Sequence, residues 1–206
     1  MAARVMNEIA RLVLLPAAFL IALSGCGQQP QSSAPSQAPL AGAALGGPFA
    51  LTDQDGKTVK DSDFAGKYRM IYFGYTFCPD VCPVDVQNLM QGYRAFEKSE
   101  PAASAKLQPI FISIDPERDT PAALKQFVGN FHPKLIGLTG TPEQIAAVAK
   151  SYAVYYKKAG KPGATDYLMD HSAIAYLMGP DGKPIAMVPQ DGTPDQIEAV
   201  LKQWVK

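Results

Sequence analysis

Tyr68-Arg69-Met70-Ile71-Tyr72-Phe73-Gly74-Tyr75 is an almost continuously apolar run, the pattern of a strand buried on both faces. Beyond it, after a short segment rich in cysteine and proline, Val86, Leu89, Met90, Tyr93 and Phe96 recur at helical spacing within Val84 to Ser99. Leu107 to Ile114 is a second buried strand. Strand, helix and strand in succession predict a parallel pair joined by a crossover helix.

The pattern continues in both directions. Phe49 to Thr52 and Thr58 to Lys60 flank Asp53-Gln54-Asp55-Gly56, which predicts a hairpin. Three later helices open on Thr120-Pro121, Thr141-Pro142 and Thr193-Pro194. Threonine accepts from the free N–H groups of a first turn, and proline at the first helical position lacks a donor that has no partner there anyway. Gln144 and Gln196, three residues after their threonines, can close capping boxes. Leu135 to Leu138 and Ala153 to Lys157 read as short strands, and Ala173 to Met178 with Pro184 to Val188 as a terminal hairpin around Gly179-Pro180-Asp181-Gly182-Lys183. The expectation is an α/β domain with a mainly parallel but mixed sheet, helices on both faces and added β-hairpins. Such sheets bind ligands at the carboxyl ends of their strands.

The chain has 206 residues with 19 basic and 19 acidic side chains, so it has no electrostatic footprint for nucleic acid. It holds three cysteines and two histidines. That excludes a disulfide-dense scaffold and leaves any Cys/His chemistry to very few residues. Residues 1–25 read as a secretory signal: Arg4 and Arg11, an uncharged run from Leu12 to Leu23, then Ser24-Gly25-Cys26. The run would span about 18 Å as a helix, short of a bilayer core of roughly 30 Å. Leu23-Ser24-Gly25-Cys26 resembles a bacterial lipobox, which implies cleavage before Cys26 and a lipid on its sulfur. An uncleaved anchor helix is the alternative. Either way the domain is expected in the cell envelope, on the extracytoplasmic or periplasmic side, tethered to a membrane. Residues 26–48, built of Gln, Ser, Ala, Pro and Gly with no charge, are expected to be a flexible spacer, and residues 49–206 the folded domain.

Cys78 and Cys82 fall between the first buried strand and the helix that follows it. Pro83 suits a first helical position, which would put Cys82 near the N-cap, where the helix dipole favours thiolate. Extended, the four steps between the two Cα atoms cover about 13 Å, too far for a disulfide. Coiled as a turn they approach to about 6 Å, which permits a dithiol, a disulfide or a shared metal ion. Spacing alone does not choose among these. His171, in Asp166-Tyr167-Leu168-Met169-Asp170-His171-Ser172, lies in a later connection that the sheet could bring over the cysteines. His132, in Asn130-Phe131-His132-Pro133, follows a helix and reads as a C-terminal cap or dipole partner. Two thiolates and one neutral imidazole are a soft set of three ligands. Structural zinc wants a fourth protein ligand and clusters usually want four cysteines, whereas copper(I) accepts low coordination and copper(II) leads the divalent affinity order. One copper ion, Cu(I) or Cu(II), is the expected cargo.

Gly74-Tyr75-Thr76-Phe77-Cys78-Pro79-Asp80-Val81-Cys82-Pro83, Ser113-Ile114-Asp115-Pro116-Glu117-Arg118-Asp119-Thr120-Pro121, Asp170-His171-Ser172 and Tyr176-Leu177-Met178-Gly179-Pro180-Asp181-Gly182 closely resemble the SCO/SenC family. The resemblance runs from about Phe49 to Trp204. It implies a thioredoxin-like fold and a copper chaperone serving the dinuclear copper A centre of cytochrome c oxidase. Subunit II of the oxidase, or another copper acceptor, is then the expected partner. Carried over by position, Cys78, Cys82 and His171 are the copper ligands. The family's usual anchor is a transmembrane helix, from which a lipidated Cys26 would depart. Asp115 and Asp119 read as the residues that end a strand and open a helix rather than as metal ligands. The chain is expected to be a monomeric carrier rather than a turnover enzyme. Its rivals are a thiol–disulfide oxidoreductase that needs neither His171 nor metal, a thiol peroxidase suggested by Thr76-Phe77-Cys78, and a binding module with a structural disulfide.

Overall fold

A computed structural model describes residues 37–161 and 166–206. The expected signal sequence and lipobox, with Cys26, lie outside the described residues. Among those described, no helix is long and apolar enough to cross a membrane.

The strands are β1 (Ala50–Asp53), β2 (Thr58–Lys60), β3 (Tyr68–Gly74), β4 (Leu107–Ser113), β5 (Ile136–Thr139), β6 (Tyr156–Ala159), β7 (Leu168–His171), β8 (Ala175–Met178) and β9 (Pro184–Val188). The helices are α1 (Val81–Ser99), the single turn α2 (Pro101–Ser104), α3 (Pro121–Gly129), α4 (Pro142–Ser151) and α5 (Pro194–Trp204). Seven strands form one sheet in the order β2-β1-β5-β4-β3-β8-β9. Its parallel part is the central β5-β4-β3, and antiparallel strands extend it on both sides. β3 and β4 are buried along nearly their whole length, as their apolar runs require. The charged residue in β3, Arg69, is buried against Asp61 and donates to the Gly179 carbonyl at 3.1 Å.

The helix starts follow the local chemistry. Thr120, Thr141 and Thr193 accept from the backbone of Ala123, Gln144 and Gln196, and the last two close capping boxes. α1 differs from expectation. It begins at Val81, so Cys82 and Pro83 are its second and third residues and Asp80 is the N-cap. Proline is tolerated there because the first-turn N–H groups have no intrahelical acceptor.

Three further differences concern long-range packing. Ala153 to Lys157 was expected as a strand, but β6 runs from Tyr156 to Ala159. The connection carrying His171 is itself a strand, and β6 with β7 forms a separate two-stranded sheet that pairs Tyr156 with His171. The spacer expected through Pro48 is docked in its last part: Leu40 and Leu45 pack on the core, and the Leu40 N–H donates to Ile185 at 3.0 Å. Their apolar side chains gain more from the core than a free spacer would gain from disorder.

This topology explains where a site can form. β3 and β4 are parallel with Gly74 opposite Ser113, so the loops after both strands start side by side. β8 is antiparallel to β3 with Ala175 opposite Tyr72, so the segment entering β8 arrives at that same end. That segment contains His171.

Candidate metal and thiol site

The loop after β3 turns at Tyr75–Cys78, where the Cys78 N–H donates to the Tyr75 carbonyl at 3.4 Å. The chain then enters α1. Cys78 Sγ accepts from the Cys82 backbone N–H at 3.4 Å. Asp80 makes no side-chain cap bond, so the Cys78 sulfur does the work of a cap at the positive end of the helix. Burial pushes the Cys78 thiol up, but the backbone N–H groups of Cys82 and Asp80 and the nearby Cys82 and Tyr75 side chains outweigh it. The net shift is below the ordinary thiol value. Cys82 is fully buried, and burial pushes its thiol well up, with the neighbouring Cys78 adding to the effect. The dipole was expected to favour a thiolate at Cys82. It acts on Cys78 instead, because Cys82 sits inside the first turn and turns its sulfur to the core.

Both sulfurs are free thiols. Gly74 leaves room for the buried one: a Cβ at this position would stand 3.0 Å from Cys82 Sγ and 2.8 Å from Tyr72 Cε1.

His171 closes β7 and brings its Nε2 to 3.4 Å from Cys82 Sγ. Its Nδ1 lies 3.2 Å from the Ser172 carbonyl, which can only accept. The proton therefore sits on Nδ1, and the Nε2 lone pair faces the sulfur. Burial lowers the His171 pKa against the opposing pull of the Ser172 carbonyl, Asp85 and Asp170, which favours the neutral ring. Tyr75 packs edge-on against it with centroids 5.9 Å apart. Cys78 and His171 line a single open cleft of about 400 Å³, with Tyr75, Val81, Leu168 and Met169 among its walls. Cys78, Cys82 and His171 are the donors here that could hold a soft ion. As they stand, no three His, Cys, Asp or Glu side chains among the described residues make a complete metal-holding group.

His132 lies elsewhere. It packs edge-on against Tyr93 with centroids 5.0 Å apart, and its Nδ1 accepts from the Lys134 N–H at 3.2 Å. The helix cap expected of it falls to Asn130, whose N–H bonds the Phe127 and Val128 carbonyls.

Two groups beneath the site had not been singled out. Tyr72 donates to Asp85 at 2.9 Å, and both are buried. Asp85 was visible as a charge on the apolar stripe of α1, between Cys82 and Val86. Tyr72 gave no signal, because a tyrosine in a buried strand reads as core.

The sequence profile of the SCO1/SenC family matches residues 37–206. The chain belongs to the SCO1/SenC family. The mitochondrial SCO1 homolog 1 of Arabidopsis thaliana is 48% identical over 151 residues, 73% of this chain and 44% of that protein. The chain thus spans about half the length of the curated relatives it matches. Among solved structures, copper-bound ScoI of Bradyrhizobium japonicum aligns with a TM-score of 0.70 and 46% identity, covering 78% of this chain and 99% of that one. BsSco, described as a member of the Sco family of cytochrome c oxidase assembly proteins with a disulfide switch, aligns with a TM-score of 0.61 and 27% identity over 80% of this chain and 96% of its own. The thioredoxin domain of a thiol–disulfide oxidoreductase from Bacteroides vulgatus, 18% identical, aligns with a TM-score of 0.55 over 79% of this chain and 96% of its own. The fold is thioredoxin-like, with added strands.

Proposed function

We propose that this chain is a copper carrier that binds one ion through Cys78, Cys82 and His171 and passes it to the dinuclear copper A centre of cytochrome c oxidase. The observation that carries this reading is the 3.4 Å between Cys82 Sγ and His171 Nε2, two atoms 89 residues apart in sequence. Metal bonds of roughly 2.3 Å to sulfur and 2.0 Å to nitrogen put two ligands of one ion about 3.5 Å apart. The imidazole offers the correct nitrogen, and Cys78 supplies a lowered thiol on the cleft side of the same helix turn. The copper bound by the Bradyrhizobium ScoI supports the choice of ion. Three ligands leave a position at which an acceptor's sulfur or imidazole can enter before the carrier's own ligands leave. Binding requires both thiols to lose their protons, so oxidation of the pair to a disulfide abolishes it. The signal sequence and lipobox favour an envelope location with Cys26 as the anchor.

Copper titration of the reduced protein, followed by absorption spectra, tests the ligand set. Wild type should take up one equivalent, and Cys78→Ser, Cys82→Ser and His171→Ala should each weaken binding about tenfold or more. Wild-type affinity in His171→Ala refutes the three-ligand site.

A second reading is favoured by the unequal thiols. An accessible sulfur with a lowered pKa beside a buried one with a raised pKa suits dithiol exchange. The Cys78 thiolate would attack a partner disulfide, and Cys82 would resolve the mixed disulfide. The products are a Cys78–Cys82 disulfide and a reduced partner, with two electrons transferred. Exchange activity that survives copper chelation and His171→Ala would favour this role.

A further inference from the structure

The segment Asp115-Pro116-Glu117-Arg118-Asp119 contributes no ligand, yet it touches both halves of the site. It leaves β4 beside the cysteine loop, as the Gly74–Ser113 register requires. Asp119, fully buried, accepts from the Thr76 N–H at 3.0 Å, the Thr76 hydroxyl at 2.6 Å and the Ser113 hydroxyl at 2.6 Å. Asp115, also buried, accepts from the Tyr167 hydroxyl at 2.7 Å. Thr76 stands two residues before Cys78, and Tyr167 directly precedes β7.

Arg118 joins the two sides. Its Nε donates to Asp115 at 2.5 Å, and its Nη1 donates to the Tyr167 carbonyl at 2.8 Å. Its guanidinium carbon lies 3.7 Å from the Tyr167 ring centroid, 5.0 Å from that of Phe77 and 5.8 Å from that of Tyr75. Nη2 is buried with no hydrogen-bond partner among the described residues, so the ring faces compensate its charge. One planar cation thus grips aromatic residues on both sides of the cleft.

The hairpin that carries His171 has particular need of such a grip. Among the described residues, β6 and β7 pair only with each other and have no backbone ladder to the main sheet. A two-stranded ribbon is marginal by itself, so its position depends on side-chain ties.

We infer that Arg118 is a positioning residue that binds the β7 hairpin to the cysteine loop and so holds the His171 imidazole beside Cys82 Sγ, in the cleft that Cys78 also lines. This rests on the three-ligand reading above. Arginine suits the role because its fixed fork serves a carboxylate and a carbonyl together while its flat face covers a ring. A lysine ammonium has three donors but neither the planar fork nor the flat face, so it cannot bond both oxygens and cover a ring at once. Releasing the hairpin lowers the effective concentration of His171 at the sulfurs without altering any ligand.

The test is a double-mutant cycle on the reduced, detergent-solubilised full chain. Copper(I) affinity is read by competition with a chromophoric chelator for wild type, Arg118→Met, Arg118→Lys, His171→Ala and Arg118→Met/His171→Ala. Arg118→Met should weaken copper about tenfold and Arg118→Lys by less, and Arg118→Met should cost nothing more once His171 is absent. The copper(II) form of Arg118→Met should also lose the nitrogen coupling of His171 in electron paramagnetic resonance, a signature that a merely destabilised protein retains. Should Arg118→Met not fold, Tyr167→Phe, which removes only the hydroxyl held by Asp115, replaces it in the same cycle. Losses that multiply in the double variant overturn the inference, as does wild-type affinity in Arg118→Met beside a weakened His171→Ala. Wild-type affinity in His171→Ala overturns the underlying three-ligand reading instead.

Discussion

The two sulfurs are only four residues apart, yet they are different chemical groups. Cys78 accepts from the helix N-terminus and opens to the cleft, while Cys82 is sealed beneath it. Alkylation with iodoacetamide at pH 7 should therefore label Cys78 in the folded, reduced protein, and Cys82 only after denaturation. Peptide mass spectrometry of the labelled protein checks this, and equal rates at both sulfurs would contradict the assignment. The Cys-x-x-x-Cys spacing was enough to propose that the pair acts together. It could not say which sulfur the dipole serves, because that depends on whether the helix starts before or after Cys82. A proline in the first turn is compatible with either start.

At the scale of elements, the three Thr-Pro helix starts follow from local bonding and were legible in the sequence. The packing between helices was not. α1 and α5 approach so closely at Gly92 that a Cβ there would lie 2.5 Å from the Ile197 side chain and 3.0 Å from the Pro194 carbonyl. Gly92→Ala should lower stability by about 1–3 kcal/mol, read as a lower denaturant midpoint, although alanine is the better helix former. An unchanged midpoint would mean that the helices separate easily. β7 escaped notice for a related reason. Four residues with Leu168 and Asp170 exposed offer no distinct apolar face, and the strand exists because β6 folds back against it.

Across the whole molecule, burial depresses the pKa of both histidines. For His132 burial is the largest cause, opposed by Glu97. The folded state then binds the histidine proton more weakly than the unfolded chain does. This contribution to stability is complete above the unfolded value of about 6.5 and is lost as pH falls through the depressed folded value. His171 acts in the same direction. Urea midpoints should therefore fall between pH 7 and pH 5, and His132→Gln should reduce that slope without abolishing it. A slope unchanged by the substitution would assign the loss to other groups.

Apolar periods, capping residues and the paired cysteines act over a few residues, so strand–helix alternation, helix starts and a convergent thiol pair could be read from the chain alone. The meeting of His171 with Cys82, which only the family resemblance anticipated, the unequal character of the two thiols and the bridge made by Arg118 could not be derived from local pattern. Each depends on sheet order and burial, which bring distant segments to one end of β3 and are properties of the packed molecule rather than of any short stretch of it.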